Sequence, residues 1–407
     1  MRICFLTQYF PPEVGAAQTR ISLLAHALAS AGHHVVVHTG FPHYPAGRVI
    51  PPYRNTIWMR DRFGAVDVLR SAVYPSANRG VARRLLNHAS FALSSMATAP
   101  LVGKIDVIVA ESPPLFTAAA GMVIARARRT ALIVNVADRW PESAVQLGVL
   151  QDKSAVALAT RLERAIYRSA DLITSPTESL VRDLERVAEA CGKARRTWPV
   201  VDVARFHCGA VRTTSGPLRL LYAGTVGMVH GVQVLVEASR LAGPEVVQTT
   251  IAGGGAAIDQ VSETVRSQRI ENVTVLGIVR PARVAVLLSE ADAAAVLLRD
   301  LPLSEGALPT KMFEAMASAR PVILCARGEA ARLVEEQRCG IAVPPEDPGA
   351  LARAICELQR DRDQAIRLGA AGRHFVDSRL GATYSANEWT DKLTEALARH
   401  RHRLAVG

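Results

Sequence analysis

Short apolar runs punctuate this chain, separated by amphipathic stretches. In the first half they are ICFLT (3–7), HVVVH (34–38), IDVIVA (105–110), ALIVNVA (131–137) and ADLITS (170–175). In the second half LRLLYAG (218–224), VVQTTIAGG (246–254), NVTVLG (272–277), DAAAVLL (292–298), RPVILCA (320–326) and GIAVP (340–344) repeat the habit. Between them lie segments with helical spacing, the first at 18–31. Uniformly apolar, β-branched strands alternating with helices predict parallel sheets covered on both faces. The longest stretch without periodicity spans 199–217 and is rich in small and turn-forming residues. The pattern therefore predicts an α/β chain of two Rossmann-like, doubly wound domains facing a cleft. The first covers 1–200, a linker covers 201–217, and the second covers 218–380. A helix-like tail follows over 381–407, with Trp389 and Leu393 on one side and a solvated RHRHR end.

A length of 407 residues agrees with two or three domains, and 49% hydrophobic against 21% charged residues excludes wholesale disorder. The cysteines (4, 191, 208, 325, 339, 356) are scattered without metal spacing, as in a reduced, cytosolic chain. No signal-peptide pattern precedes the first strand. The net charge of +11 lies almost wholly in residues 1–200. A basic half points to an anionic membrane surface or a phosphate-rich substrate. Nucleic acid is the weakest candidate, since no recognition motif accompanies the charge and aromatics are only 5%.

Residues 85–103 (LLNHASFALSSMATAPLVG) follow Arg79, Arg83 and Arg84 and carry no charge. Asn87, His88, the serines and Pro100 make this a poor membrane span. Two readings stay open: a partly buried domain helix, or a basic-flanked amphipathic helix lying on a membrane surface.

In open parallel sheets ligands bind beyond the carboxyl ends of strands, so the strand-to-helix loops are where chemistry is expected. The first loop, QYFPPEVGAAQTR (8–20), brings Gly15 and two alanines to a helix start, an open backbone suited to an anion. In the second half the strand at 218–224 runs into TVGMVHG, where Gly224, Thr225, Gly227, His230 and Gly231 form a short loop that a diphosphate can approach. The spacing is not GxGxxG, which disfavours a nicotinamide cofactor. LPTKMFEAMA (308–317) carries the strongest signal. Pro309 and Thr310 mark a helix start with Lys311 in its first turn, where a cation opposes the helix dipole unless an anion is present. In a chain that writes positive charge almost entirely as Arg, a lysine there suggests a point contact to phosphate. Glu314 lies on the same helical face, where a carboxylate can accept hydrogen bonds from two vicinal hydroxyls, as on a ribose; a local Lys311–Glu314 ion pair is the plainer alternative. Asp138 and Glu142, in DRWPES, follow the strand at 131–137, either facing the cleft from its carboxyl end or capping the helical segment that follows. The DxD at Asp361–Arg362–Asp363 sits in a charged helical region and reads as solvated surface rather than a metal motif.

Taken together, QYFPPEVGAA, ESPPLF, ADRWPESAVQLGVL, YAGTVGMVHG, LPTKMFEAMA and ARGEAARLVEE, in that order over nearly the whole chain, resemble the family 4 glycosyltransferases. These are retaining enzymes of the GT-B fold. The likeness is greatest to the bacterial colanic-acid and O-antigen branch that includes L-fucosamine transferases. The resemblance implies a UDP-sugar donor in the second domain and a last helix, 381–407, that can return to the first. Glu314 corresponds to the last Glu of an E-x7-E motif and binds the ribose, while Lys311 and the TVGMVHG loop hold the diphosphate. Where the motif's first Glu is expected stands Gly306, with Glu305 displaced by one; Glu329, behind Gly328, is a second candidate for the donor sugar's hydroxyls. Where many members place Arg and Lys, this chain has Val226 and Val229–His230, which implies reliance on backbone amides and helix dipoles. Asp138 contacts the donor sugar or orients the acceptor hydroxyl, and Glu142 is a candidate base. The family mechanism lets the departing phosphate take the proton. No metal or other cofactor is expected.

The resemblance further implies transfer of an N-acetylated hexosamine or 6-deoxyhexosamine to a polyprenyl-diphosphate-linked saccharide. That places the enzyme in cell-surface polysaccharide synthesis, in the cytoplasm or peripheral on the inner membrane face. The alternatives are a soluble small-molecule acceptor, or a UDP-sugar 2-epimerase of related fold.

Overall fold

The computed structural model describes all residues except 45, 77–79, 147, 149, 208–215, 228–229, 302–303 and 407. The chain divides into two compact units, Met1–Val200 with Ala382–Gly407, and Val201–Gly381.

The first unit holds an eight-stranded sheet: β1 (Arg2–Leu6), β2 (His34–Gly40), β3 (Trp58–Phe63), β4 (Val66–Ser71), β5 (Val107–Ser112), β6 (Ala131–Val136), β7 (Leu172–Ser175) and β8 (Ala194–Arg196). Their order is β3-β4-β2-β1-β5-β6-β7-β8, so the winding reverses between β1 and β5. All neighbours are parallel except β3, which pairs antiparallel with β4 at the edge. The sheet is thus not wholly parallel. Strand side chains alternate between two cores, as the pleat requires. Cys4, Leu6, Ile108, Leu132 and Val134 pack with Phe91 and Leu115 on one side. Ile3, Phe5, Val107 and Ile133 pack on the other with Ile21, Leu24, Trp389 and Leu393. Gly121, within the helix Leu115–Arg128, lies where an added Cβ would sit 2.6 Å from the Ala110 side chain, so its absence lets helix and sheet approach closely.

The tail completes this unit. The helix Ala382–Val406 lays Trp389 against Phe5, with ring centroids 6.3 Å apart. Its basic end is not simply solvated: His400 is buried, its Nδ1 3.2 Å from Asp171 Oδ2, and Arg403 lies 3.0 Å from Asp171 Oδ1. Buried Asp171 also accepts the Leu132 N–H at 2.9 Å, which ties the tail to the sheet.

The helix Val81–Thr98 resolves the 85–103 stretch into two faces. Asn87, Phe91, Ser95 and Thr98 are buried, whereas Arg83, Arg84, Leu85, Leu86 and Leu93 are exposed. Arg79 lies outside the described residues.

The second unit holds a parallel six-stranded sheet of β9 (Leu218–Ala223), β10 (Val247–Ala252), β11 (Val273–Gly277), β12 (Ala293–Leu297), β13 (Val322–Cys325) and β14 (Gly340–Val343). Their order is β11-β10-β9-β12-β13-β14, with the reversal between β9 and β12. The described start of the expected linker belongs to this unit. Val201 N–H donates to the Leu380 carbonyl at 3.0 Å, Phe206 is buried, and Arg373 donates to the Phe206 carbonyl at 3.1 Å. Asp361 is a helix cap, accepting the Gln364 N–H at 2.7 Å, and Arg362 turns to Asp292 at 3.4 Å.

Candidate active site

Beyond the carboxyl end of β9 the chain turns through Gly224, whose φ of 145° is a glycine conformation. The loop is held from one side by the glycine run 253–255. Gly224 N–H donates to the Ala252 carbonyl (2.9 Å), and Val226 N–H to the Gly254 carbonyl (2.9 Å). Ala257 N–H returns to the Val226 carbonyl at 3.0 Å. A Cβ on Gly253 would sit 1.7 Å from the Gly224 carbonyl oxygen, and one on Gly255 2.5 Å from that of Val226. The glycines of this run are therefore a packing seam that fixes the loop above β9.

The loop ends at Gly231, in the left-handed region at φ 60°, which opens the helix Val232–Ala242 without a side-chain cap. His230 donates its backbone N–H to the Gly227 carbonyl at 3.1 Å. Its Nδ1 is buried without a hydrogen-bond partner among the described residues and lies 3.3 Å from where a Gly227 Cβ would be. Burial first, and the Lys311 charge second, push the imidazole down to about 4, so it is neutral at physiological pH. Thr225 is exposed on the loop.

Lys311 reaches this loop from the first turn of the helix Thr310–Ala317, which carries no side-chain cap and no acidic residue in that turn. Its Nζ donates to Tyr222 Oη at 2.9 Å and stands 4.3 Å from the centre of that ring. It is 3.2 Å from the position a Gly224 Cβ would occupy. Among the described residues it forms no ion pair. Burial lowers the ammonium from its ordinary 10.5 to about 8, against the opposing pull of Glu314. Glu314, one turn on and mostly buried, is raised by burial against the opposing charges of Arg205 and Lys311. It too has no ion pair within 4 Å among the described residues. A mostly buried ammonium and a mostly buried carboxylate, neither with an ion pair among the described residues, mark a candidate ligand site.

Glu305 and Glu329 are brought together by their backbones. The Glu329 N–H donates to the Glu305 carbonyl at 2.8 Å, and Gly328 (φ 75°) leaves only 2.0 Å between its would-be Cβ and that same oxygen. The Glu305 side chain is exposed, whereas Glu329 is buried at the start of the helix Glu329–Glu336.

In the first unit, Gly15 precedes the uncapped helix Ala16–Ser30, and a side chain there would strike Gln18 (2.5 Å to Oε1). Asp138 is exposed beyond β6. Glu142 is engaged by Arg139 at 2.5 Å, and Arg139 Nε also lies 3.7 Å from Glu163. Glu163 is buried, accepts the Tyr167 hydroxyl at 3.0 Å, and is raised by burial. At the β1/β5 reversal Arg20 donates to Glu111 at 2.6 Å, and Asn135 donates to the other Glu111 oxygen at 2.7 Å. Arg20, Glu111, Arg139, Arg205 and Tyr222 were not among the residues the sequence singled out. Each is a polar side chain with at least one relation far along the chain (Arg20 with Glu111, Arg139 with Glu163, Arg205 with Glu314, Tyr222 with Lys311), which local spacing does not carry.

Among the described residues no group of three or more His, Cys, Asp or Glu could hold a metal ion. Among them too, no helix is long and apolar enough to cross a membrane.

Two doubly wound sheets, one with a glycine loop facing a lysine-bearing helix start, define the class: glycosyltransferases of the GT-B fold. Residues 15–196 match the family described as "Glycosyl transferase 4-like domain", and residues 217–361 match "Glycosyl transferases group 1". The chain belongs to this glycosyltransferase family. It is similar to the "Probable glycosyltransferase WbjE" of Pseudomonas aeruginosa, 28% identical over 56% of this chain and 59% of that one. That match thus spans less than two thirds of WbjE. It is also similar to the "Putative colanic acid biosynthesis glycosyl transferase WcaI" of Escherichia coli, 24% identical over 87% of this chain and 91% of that one. The crystal structure of HepE from Anabaena in complex with UDP-glucose shares the fold, with a TM-score of 0.69, 16% identity, and coverage of 97% and 99% of the two chains.

Proposed function

We propose that the protein is a retaining glycosyltransferase that moves a sugar, an N-acetylated hexosamine or 6-deoxyhexosamine, from UDP to a polyprenyl-diphosphate-linked saccharide. The product would enter a cell-surface polysaccharide, and the enzyme would work in the cytoplasm, peripheral on the inner face of the membrane. The observation that carries the reading is the pair Lys311 and Glu314, mostly buried on one helix turn, forming no ion pair with each other, beside the Gly224–Gly231 loop. The ammonium matches a diphosphate and the carboxylate matches the two hydroxyls of a ribose. The fold-sharing HepE binds UDP-glucose, and WcaI is named for colanic acid, which supports the donor and the polysaccharide in turn.

In this mechanism the bond between the anomeric carbon and the UDP oxygen breaks while the acceptor oxygen bonds to that carbon on the same face. The acceptor's proton passes to the departing phosphate. Charge building on UDP is stabilised by Lys311, by backbone N–H groups of the glycine loop and by the uncapped start of the helix Val232–Ala242. Neutral His230 adds shape and a hydrogen-bonding nitrogen rather than charge. Gly15 keeps the first-unit loop open. Asp138, exposed beyond β6, orients the acceptor hydroxyl. Glu142 would have to shed Arg139 to act as a base, which favours the phosphate as proton acceptor. Glu305, with its exposed carboxylate, is favoured over buried Glu329 for the donor-sugar hydroxyls. No metal takes part. Exposed Leu85, Leu86 and Leu93 with Arg83 and Arg84 on one helix support the membrane reading.

Calorimetry of UDP, GDP and ADP, with and without EDTA, tests the donor site on wild type and Glu314→Ala. The reading expects UDP-selective, EDTA-insensitive binding weakened tenfold or more by the substitution. Binding of no nucleotide, or equal binding by the variant, would refute it. Turnover that is indifferent to lipid would point instead to a soluble acceptor.

A further inference from the structure

We infer that Tyr222 is a positioning residue for the phosphate-binding lysine: its hydroxyl tethers the Lys311 ammonium to the glycine loop, so that the charge stands ready for a nucleoside diphosphate. The inference rests on the donor-site reading above.

Tyr222 is fully buried near the end of β9, a strand whose other buried side chains, Leu218, Leu220 and Leu221, are apolar. Packing alone would be served by phenylalanine, so the hydroxyl calls for a separate explanation. Its one proton is donated to the Thr225 carbonyl at 2.6 Å. The oxygen is then left as an acceptor, and it accepts from Lys311 Nζ at 2.9 Å. The ring face, 4.3 Å from the same nitrogen, adds a cation–π contact. The chain Lys311 to Tyr222 to Thr225 thereby joins the helix Thr310–Ala317 to the loop after β9. Backbone bonds tie that loop on its other side, to residues 252–257.

A free lysine has better options than burial without a counter-ion. At i, i+3 spacing it could turn to Glu314, as side chains on one helical face commonly do. The structure instead hands it to a neutral hydroxyl. That choice keeps the ammonium uncompensated and leaves Glu314 available for other hydroxyls. The charged or titratable groups facing Lys311 are Glu314 on its own helix, with Arg205 acting on Glu314, Tyr222 from β9, and His230 from the loop before Val232. Of these, His230 is already neutral well below pH 7, and burial raises Tyr222. An alkaline limb of UDP binding that uridine binding does not share therefore reports Lys311.

The test is Tyr222→Phe, with UDP and uridine binding followed by calorimetry from pH 6.5 to 9.5, alongside Lys311→Met and the double variant. Uridine affinity should equal wild type. UDP affinity should fall about tenfold, the size expected for a charge-assisted hydrogen bond, and its alkaline limb should move to lower pH because the ammonium has lost an acceptor. In the Lys311→Met background, Tyr222→Phe should have no further effect on UDP. Unchanged UDP affinity with an unmoved limb would overturn the inference. So would an equal loss of uridine and UDP, or a full effect in the absence of Lys311. Wild type that binds uridine but not UDP, or neither, would strike the donor-site reading itself.

Discussion

Replacing Lys311 by methionine should make the protein more stable and worse at holding a nucleoside diphosphate, two effects of opposite sign from one charge. The ammonium falls from 10.5 to about 8 because burial disfavours its charged form. At 1.36 kcal/mol per pH unit that difference corresponds to about 3 kcal/mol. The sign follows from proton binding. Between about 8 and 10.5 the unfolded chain holds a proton at this lysine that the folded chain has released, so stability rises with pH across that window. Below pH 8 both states are protonated and the folded state carries the whole penalty. Methionine matches the lysine stem in length and removes the charge, so at pH 7 Lys311→Met should gain up to about 3 kcal/mol. Its loss of the Tyr222 contact reduces that gain by about 1 kcal/mol. Urea denaturation at pH 7 and pH 9.5 measures both quantities: the variant's advantage should be present at pH 7 and shrink at pH 9.5. UDP binding should weaken by 10- to 100-fold, as expected for one lost charge-assisted contact. A variant less stable than wild type at pH 7, or one that binds UDP unchanged, would refute the reasoning.

Three further outcomes test other parts of the structure. Gly253→Ala drives a methyl group to within 1.7 Å of the Gly224 carbonyl oxygen; it should cost about 3 kcal/mol or more in a denaturant melt of the second unit and abolish UDP binding, whereas retained binding would mean the glycine seam does not shape the loop. Asp171→Ala leaves the Leu132 N–H without its acceptor and His400 and Arg403 without their carboxylate. A loss of about 3 kcal/mol is expected, with faster proteolysis of the tail, and an unchanged melt would show that the tail is held without Asp171, by its apolar side and by contacts such as Arg195–Glu395. Arg83→Ser with Arg84→Ser should lower sedimentation with anionic vesicles by about 5- to 30-fold, at about 1 kcal/mol per arginine; equal sedimentation would remove the membrane face from the proposal.

Every apolar run in the sequence appears as a strand, its ends shifted by a residue or two; for central strands such as β5, β6 and β12, buried on both faces, a continuous apolar pattern is required. The strands that escaped are the ones that break this rule. Strand β3 reads WMRDRF, lies at the sheet edge and runs antiparallel, so nothing requires it to be apolar. Strand β4 contains Arg70, buried because Asp61 accepts from its guanidinium at 2.9 Å and Tyr53 covers it at 4.9 Å. Strand β8 has three residues, too few for a pattern. Of the tail, the helix and its apolar side were legible, and only the seat of His400 and Arg403 on Asp171 was not. RHRHR has the composition of a solvated end, and its partner, Asp171, lies 229 positions from His400. Lysine 311 was legible because lysine is rare here and stands where the helix dipole opposes it. Tyr222 was not, since one tyrosine in an apolar strand reads as core until the hydroxyl's partners are seen. Arg205, in a stretch that reads as linker, became relevant only when the chain around it proved to pack with the second unit.

The site in the second unit illustrates how a fold keeps a charge usable. A lysine and a glutamate three residues apart on a helix would ordinarily neutralise each other, a contact worth a few tenths of a kcal/mol on an exposed surface. Inside a protein the attraction is stronger, and a pair so formed would have to be broken before either group met a ligand. Here the helix start is buried against the glycine loop, so Lys311 is drawn across to β9 while Glu314 remains one turn away. Neither group gains a counter-ion, and both are shifted towards neutrality by burial. The cost is borne in the empty state. A diphosphate would supply the counter-charge that the fold withholds and so raise the ammonium back towards its ordinary range. The glycine run at 253–255 fixes the loop opposite the lysine through backbone hydrogen bonds and approaches too close for any Cβ at Gly253 or Gly255, so the loop's position beside Lys311 depends on those glycines.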